Sequence, residues 1–509
     1  MDKKQKVQKQ KLFASRKFKY GAAATVFTVF FIAVVILFNV IVSAVDAKYS
    51  LYFDLTDDQI FSISENSVTM VDSQFAQYRE VYGEDPQITV RFFAPRDIIM
   101  DEEQKSWVVN LVESYAEKYS QIKVEYNEDL NLHPEKYAFY KEKYQDDFSS
   151  SSIIISNDLE KGSIQHMTFD SCLVYDEEGS YVWAFQGEMK INAAIIKLTS
   201  QKSPVASFTV GHGESAPQVL TEILQNCGFT IKNVDLAKED VSEDTKILIM
   251  SNPQKDITYS ENDALVTEYT KISNYLNSYR SLMVIMSPTT PALPALDELL
   301  EDWGMRVTRN QVVIDDIQSI ASDHKKIYAN YTDSESVAGV LTESLTSLSS
   351  PPRTLCINSA PVEILDPGGT DLGFVTEAIL TSSDNSYTEV VTKDGTEQVK
   401  GPFNLMAIAS RFTIKNNVDT YGHLMVIGSE QFTELAMDPT YGNSDIVRNM
   451  IRLLSDEDIA MDVNYKVIED YAIDIESGEV YAFGIVTAIV IPVIIFVFGT
   501  VVYVKRKHM

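Results

Sequence analysis

The chain has 509 residues, a length at which about three domains of ordinary size are expected. It carries 43 Lys and Arg against 73 Asp and Glu, a formal net charge of −30. This balance argues against nucleic-acid binding, because phosphate contacts need clustered basic side chains. Three cysteines are too few for a disulfide framework or for a four-cysteine zinc site.

Two uncharged apolar segments, 21–45 and 480–504, each adjoin a basic end of the chain. A helix needs about 20 apolar residues to cross the hydrocarbon core of a bilayer, so both segments are predicted to be transmembrane helices. The first segment is too long for the apolar region of a cleaved signal peptide. The positive-inside rule then places the tails 1–20 and 505–509 in the cytoplasm. It predicts a cell-membrane protein whose acidic residues 46–479 are extracytoplasmic.

Residues 46–200 are predicted to form a first extracytoplasmic α/β domain. An alternating segment at 88–93 predicts a strand, helical spacing follows at 101–119, and a second strand is predicted at 122–126. This β-α-β order indicates that the two strands pair in parallel.

Residues 201–345 predict a second α/β domain, similar to flavodoxin and Rossmann folds. Its apolar strands alternate with helices of about ten residues or more, which is typical of a doubly wound, mostly parallel sheet. Residues 346–479 continue the pattern less regularly and are predicted to be the C-terminal part of the α/β region. The predicted fold class is therefore α/β, with two transmembrane helices that bracket mostly parallel sheets. The predicted strands are 205–210, 230–234, 247–250, 282–286 and 422–428.

The best candidate for a ligand-binding site is Gly211-His212-Gly213-Glu214. It follows a predicted strand and precedes a predicted helix, which is where α/β sheets place ligands. The glycines permit close approach of a ligand, and His212 with Glu214 could act as an acid–base pair. The alternative is a tight turn in which His212 hydrogen-bonds a backbone carbonyl.

Other chemical signals are missing from the sequence. It contains no Walker A motif, no Gly-x-Ser-x-Gly motif and no His-x-x-x-His spacing. No catalytic residue, metal ligand or cofactor is predicted. Cys172, Cys227 and Cys356 lie in apolar contexts and are predicted to be buried and free, although two of them could pair.

Several short sequence segments resemble, in the same order along the chain, the Gld-type (gliding-motility-associated) auxiliary subunits of bacterial ABC-2 transporters. The matching segments are residues 54–64, 185–188, 208–214, 296–305, 312–315 and 426–432. This chain has Gly428-Ser429-Glu430 where that family usually has Gly-Asp-Ser-Asp.

The resemblance implies a non-enzymatic auxiliary subunit whose outer domain binds substrate or gates and assembles a permease. It implies a polytopic permease and a cytoplasmic ATPase as partners, together with membrane lipid. Two alternatives stay open: a membrane-anchored envelope hydrolase that uses His212 and Glu214, and an envelope scaffold protein. The sequence leaves open the transported substrate and its direction, the oligomeric state, and whether the outer domain binds a ligand or a protein.

Overall fold

In this computed structural model the chain forms two units, residues 1–62 and 63–509. The structure describes residues 26–38, 60–127, 148–157, 164–175, 181–200, 203–262, 265–332, 337–365, 374–393, 395–415, 418–438, 440–456 and 465–468, with positions 132, 135, 138 and 142. The predicted tails 1–20 and 505–509 lie outside the described residues.

The first unit corrects the membrane prediction. Its residues 26–38 are helical. No described helix has both the length and the apolar character that a bilayer crossing requires. On this finding the prediction of two transmembrane helices is wrong, and so are the cell-membrane location and the membrane-transporter description that depended on it. The rest of 21–45 and all of 480–504 lie outside the described residues.

The N-terminal part of the second unit contains a small mixed sheet with helices packed on it. The strands are β1 (Ile88–Phe92), β2 (Ile122–Tyr126), β3 (Ser152–Ser156), β4 (Ile164–Thr168), β5 (Leu173–Tyr175) and β6 (Val182–Phe185). The helices are α1 (Glu65–Tyr82), α2 (Arg96–Met100), α3 (Glu103–Lys118) and α4 (Gly187–Thr199). The order in this sheet is β2-β1-β3-β4, and β1 pairs with β2 in parallel, as the β-α-β pattern predicts.

The rest of the unit is built on a ten-stranded sheet. Its strands and their neighbours are β7 (Val205–Thr209), β8 (Thr230–Val234), β9 (Thr245–Ser251), β10 (Ser281–Ile285), β11 (Met305–Val307), β12 (Ser319–Ile320), β13 (Asp323–Tyr331), β14 (Thr354–Ile357), β15 (Val362–Ile364), β16 (Val375–Thr381), β17 (Tyr387–Thr392), β18 (Gly395–Lys400), β19 (Asn404–Lys415), β20 (Val418–Ile427) and β21 (Lys466–Val467). The helices are α5 (Gln218–Asn226), α6 (Glu268–Asn277), α7 (Pro294–Glu301), α8 (Val337–Thr346) and α9 (Asn443–Ser455).

The ten-stranded sheet is mixed, which corrects the prediction of mostly parallel sheets. The order is β12-β13-β16-β19-β20-β10-β9-β7-β8, with β14 also on β13. The run from β20 to β8 is parallel, whereas β19 and β20 pair along their length in antiparallel fashion. Consecutive strands joined by a short connection must pair in this way. The sheet therefore contains strands from both sides of the domain boundary predicted at 345.

The parallel strands are buried on both faces. Residues 205–209, 247–251 and 281–285 are all buried, as expected for strands that have helices above and below. Alternate side chains of β9, β10 and β20 enter one apolar cluster together with α6 and α7. This packing determines where the strands end, and therefore where the loops at the two edges of the sheet lie.

A buried carboxylate joins the start of α1 to the C-terminal strand β21. Glu188 Oε1 accepts hydrogen bonds from Ser64 N at 2.7 Å and Ser67 Oγ at 2.5 Å. Lys466 Nζ lies 3.0 Å from Glu188 Oε2, and the Glu188 side chain is 2% exposed. Asn192 Nδ2 donates to Ser67 Oγ at 2.7 Å. The carboxylate thus connects parts of the chain that are far apart in sequence.

We expect Glu188→Gln to lower the free energy of unfolding by about 3 kcal/mol, because it leaves the Lys466 ammonium without its buried counter-ion. Urea unfolding measures the loss. Glu102→Gln is the matched control, because Glu102 pairs with Lys105 at an exposed position and such pairs contribute at most about 1 kcal/mol. An equal loss in the two variants would contradict a structural role for the Glu188 network.

Candidate functional site

The predicted candidate turn lies directly after β7, at the carboxyl edge of the parallel strands. Gly211 has φ 112° and Gly213 has φ 75°, a left-handed region that glycine adopts without strain. A Cβ at Gly213 would lie 3.2 Å from the Cβ of Gln254. The two glycines therefore allow the chain to reverse tightly against the loop that follows β9.

His212 lies between two buried carboxylates. Its Nδ1 is 3.1 Å from Glu214 Oε1, and its Nε2 is 3.1 Å from Glu268 Oε1. The backbone N–H of His212 also donates to Glu214 Oε2 at 2.7 Å. The three side chains are 5–8% exposed. Both ring nitrogens are thus engaged with groups of the chain itself.

The contacts within this cluster shift the pKa values of His212 and Glu214 in opposite directions. The hydrogen bond to Glu214 raises the pKa of His212 above 6.5, burial opposes this rise, and the contact with Glu268 adds to it. Burial acts to raise the pKa of Glu214, but hydrogen bonds from the His212 ring and from backbone N–H groups outweigh it and lower the pKa below 4.5. The two contacts with carboxylate oxygens therefore favour the protonated form of the His212 imidazole.

Glu268 reaches the cluster from the first turn of α6. Thr267 caps this helix by accepting from Thr270 N, and Glu268 Oε2 accepts from Thr258 N at 2.7 Å. The imidazole consequently connects the turn after β7 to α6. Sequence reasoning paired His212 with Glu214 because they are two residues apart, whereas Glu268 lies too far along the chain for any spacing motif to indicate it.

Further hydrogen bonds close the carboxyl edge above the turn. The carbonyl oxygen of His212 accepts from Gln254 N at 2.8 Å and from Lys255 N at 2.9 Å. Asn252 Nδ2 donates to Glu430 Oε2 at 2.7 Å, and Asn252 Oδ1 accepts from Thr290 Oγ1 at 2.7 Å. Glu430 thus joins the loop after β20 to the loop after β9. It belongs to the segment Gly428-Ser429-Glu430, which departs from the Gld-type pattern.

The structure brings Gly211, His212, Gly213 and Glu214 together as one turn, at the place where the direction of strand order reverses between β7 and β9. Ligand sites of open α/β sheets occur at such points. Here the polar groups of the turn bind other parts of the chain, so the arrangement acts as a clamp between loops. Ligand binding by these four residues stays a prediction.

The three cysteines are buried and free. Burial raises the pKa of each thiol to about 12, so Cys172, Cys227 and Cys356 are protonated and poorly reactive at neutral pH. Within the described ranges, no group of three or more His, Cys, Asp or Glu side chains could hold a metal ion.

Sequence reasoning missed a cavity of about 1100 Å³ at the opposite, amino edge of the parallel strands. Its lining comes from the residues just before β7, β9 and β10, from β20, and from the two helices α8 and α9. The lining residues lie within 203–204, 243–246, 278–281, 337–340, 420–423 and 449–456. Because the fold assembles them from six separate segments, no local motif could have indicated the site.

The cavity combines basic, aromatic and apolar groups. Arg280 and Arg452 line it, and Arg280 Nη1 donates to the carbonyl oxygen of Thr245 at 2.9 Å. His423 also lines it, although the residue is only 2% exposed, and burial lowers its pKa to about 4. The His423 ring stacks on Tyr421, and its Nδ1 lies 2.9 Å from Ser410 Oγ. The imidazole is therefore neutral at physiological pH.

Comparison with known proteins adds little to this geometry. No family model and no curated protein matches the chain. Among solved structures, a chain of "Structure of PurLQS from Thermotoga maritima" is 12% identical with a TM-score of 0.24, over 50% of this chain and 100% of that one. A similarity this low carries no argument about fold or function. The Gld-type resemblance stays a prediction.

The stabilising effect of the His212 cluster should depend on pH in a defined way. Stability from the raised His212 pKa is fully present below about pH 6.5 and is lost as the pH rises through the folded-state pKa. Stability from the lowered Glu214 pKa is present above about pH 4.5 and is lost as the pH falls through its folded-state value. We expect the difference in unfolding free energy between wild type and His212→Gln to be largest between these limits, at about 2 kcal/mol. Urea unfolding from pH 4 to 9 measures it, and a difference independent of pH would contradict the clamp.

The turn geometry predicts that Gly213→Ala is more costly than Gly83→Ala. Both glycines have nearly the same φ, 75° and 76°, but a Cβ at Gly83 would meet no atom within 4 Å. Gly83→Ala should therefore cost only the strain of left-handed backbone, about 1 kcal/mol. Gly213→Ala should cost about 2 kcal/mol, because the new Cβ would also crowd the Cβ of Gln254. Equal losses in urea unfolding would show that the Gly213 turn has room for a side chain.

Proposed function

We propose that the protein is a non-enzymatic binding protein whose ligand occupies the amino-edge cavity, defined by the lining segments given above. The observation that carries this proposal is the cavity itself, which opens beside rigid parallel strands and contains polar groups of several kinds. Its volume of about 1100 Å³ is slightly larger than the range of about 300–1,000 Å³ that is usual for small-molecule sites.

Arg280, Arg452 and His423 are the cavity residues best suited to holding a ligand. Arg280 and Arg452 each present a planar fork of N–H donors, which suits hydrogen bonding to an acid group. The one imidazole, that of His423, has a pKa of about 4 and is a weak base. Arginine side chains and a neutral imidazole can still donate directed hydrogen bonds to a bound molecule.

The hydrolase alternative depends on the other edge of the sheet. His212 and Glu214 would have to act there as an acid–base pair, and the imidazole would need a free nitrogen. Both nitrogens lie 3.1 Å from carboxylate oxygens, so this reading requires one of the two contacts to open. The alternative of a scaffold protein is compatible with a bound ligand, because a ligand in the cavity could stabilise the assembly that the scaffold forms. The permease and the ATPase that the Gld-type resemblance implies as partners of this chain stay predictions.

Equilibrium dialysis of the full chain against a small-molecule extract, followed by mass spectrometry, tests the proposal. Wild type should concentrate at least one compound. Val340→Trp should abolish this enrichment, because Val340 lines the cavity, is 56% exposed and can accept a large side chain without strain.

Val399→Trp is the matched control. Val399 is 46% exposed and belongs to the β17–β18 hairpin, outside the cavity lining, so this variant should keep the enrichment. The proposal would be contradicted if wild type enriched no compound. It would also be contradicted if Val340→Trp enriched the same compound as wild type.

A further inference from the structure

We propose that the cavity binds an anionic amphiphile, whose acid group lies between Arg280 and Arg452 and whose apolar chain follows Val340, Tyr421 and Phe412. This inference rests on the proposed function, since it names the class of the ligand. Three features of the described residues support it: the charge of the lining, the position of the guanidinium groups, and an exposed apolar strip that continues from the cavity.

The lining is basic in comparison with the rest of the chain. Lys246, Arg280 and Arg452 line the cavity together with Glu243, Asp244 and Asp456, an equal number of each sign. The whole chain has 43 basic residues against 73 acidic ones. Asp244 is also neutralised by Lys232, whose Nζ lies 3.0 Å from its Oδ2. The cavity is thus one of the places where this acidic chain can accept a negative charge.

The guanidinium groups can recognise an acid group directly. A guanidinium carries five N–H donors in a planar fork, which matches the two oxygens of a carboxylate or phosphate. The carbonyl oxygen of Thr245 accepts from Nη1 of Arg280 and thereby holds this side chain at the amino end of β9. Arg452 approaches from the last turn of α9. The neutral ring of His423, which also lines the cavity, adds a hydrogen-bonding group without a competing charge.

An apolar strip leads away from the charged end of the cavity. Tyr421 lines the cavity and pairs across the ribbon with Phe412, and their ring centroids are 6.2 Å apart. Ile414 is on the same face of β19, because side chains two residues apart share a face. Phe412 and Ile414 are each 63% exposed, Val340 56% and Tyr421 42%. These exposed apolar side chains offer a surface on which an apolar chain can pack.

The two arginines of the cavity and the apolar strip together favour one class of ligand. A small polar anion would leave the strip exposed to water, and an amphiphilic cation would be repelled by the two arginines. A molecule with an acid group and an apolar chain meets both parts of the surface. The shared position of Tyr421, in the cavity and in the strip, makes the two parts one continuous site.

Isothermal titration of the full chain tests this inference with decanoate, decyltrimethylammonium, decanol and butyrate, each below its aggregation or solubility limit. Decanoate should bind at least tenfold more tightly than the other three. Arg280→Gln and Arg452→Gln should each weaken decanoate about tenfold and leave decanol unchanged. Phe412→Ser should weaken decanoate and leave butyrate unchanged.

Arg353→Gln is the control for these variants, because Arg353 packs over the Tyr328 ring and lies outside the cavity lining. It should bind decanoate as wild type does, and the melting temperature of each variant reports whether it has folded. Binding of the cation or of decanol as tight as that of decanoate would overturn the assignment of an acid group. Equal binding of butyrate and decanoate would overturn the assignment of the apolar chain.

Failure of the ligand class and failure of the proposed function are distinguishable. If dialysis enriches a compound that Val340→Trp loses, but decanoate shows no preference, only the ligand class is wrong. If no probe binds and dialysis shows no enrichment, the cavity has no ligand and both proposals are overturned.

Discussion

The parallel pairing of β10 with β20 determines the geometry of both edges of the large sheet. Leu282 pairs with Leu424, and Ile285 pairs with Ile427, so the two strands end at the same carboxyl edge. β20 begins at Val418, six residues before Leu424, which places its start roughly 20 Å beyond this pair. Gly422 permits this extension, because a Cβ there would lie 2.9 Å from the Cα of Tyr279. The extended part of β20 forms one wall of the cavity.

The two edges of the sheet consequently have opposite characters. At the carboxyl edge, the five parallel strands end together, and the loops that follow β7, β9, β10 and β20 bond to one another. His212, Asn252 and their carboxylate partners fill the space there. At the amino edge, the ribbon extends past the shorter neighbouring strands and α8 and α9 lie opposite it, which leaves a volume of about 1100 Å³. The usual ligand edge of an α/β sheet is therefore the closed edge in this protein.

Some of this arrangement could be predicted from the sequence, where the determinant is local. The β-α-β pattern over 88–126 and the strand before Gly211 follow from hydrophobic periodicity, and the pairing of His212 with Glu214 follows from their spacing. The contact of His212 with Glu268 and the mixed character of the sheet depend on how distant segments pack, which periodicity does not contain. The predicted transmembrane helices rested on hydropathy alone, and no described helix is long and apolar enough to cross a bilayer. The cavity was not predictable, because its residues come from six segments without a motif.

Hydrogen–deuterium exchange of the full chain with and without decanoate is the most direct test of the account, because it compares the two edges in one measurement. We predict slower exchange of amide hydrogens in 278–281, 420–423 and 449–456 when decanoate is bound, with no change in 211–215. Protection of 211–215 without protection at the amino edge would contradict the account, and would return the binding site to the turn that contains His212.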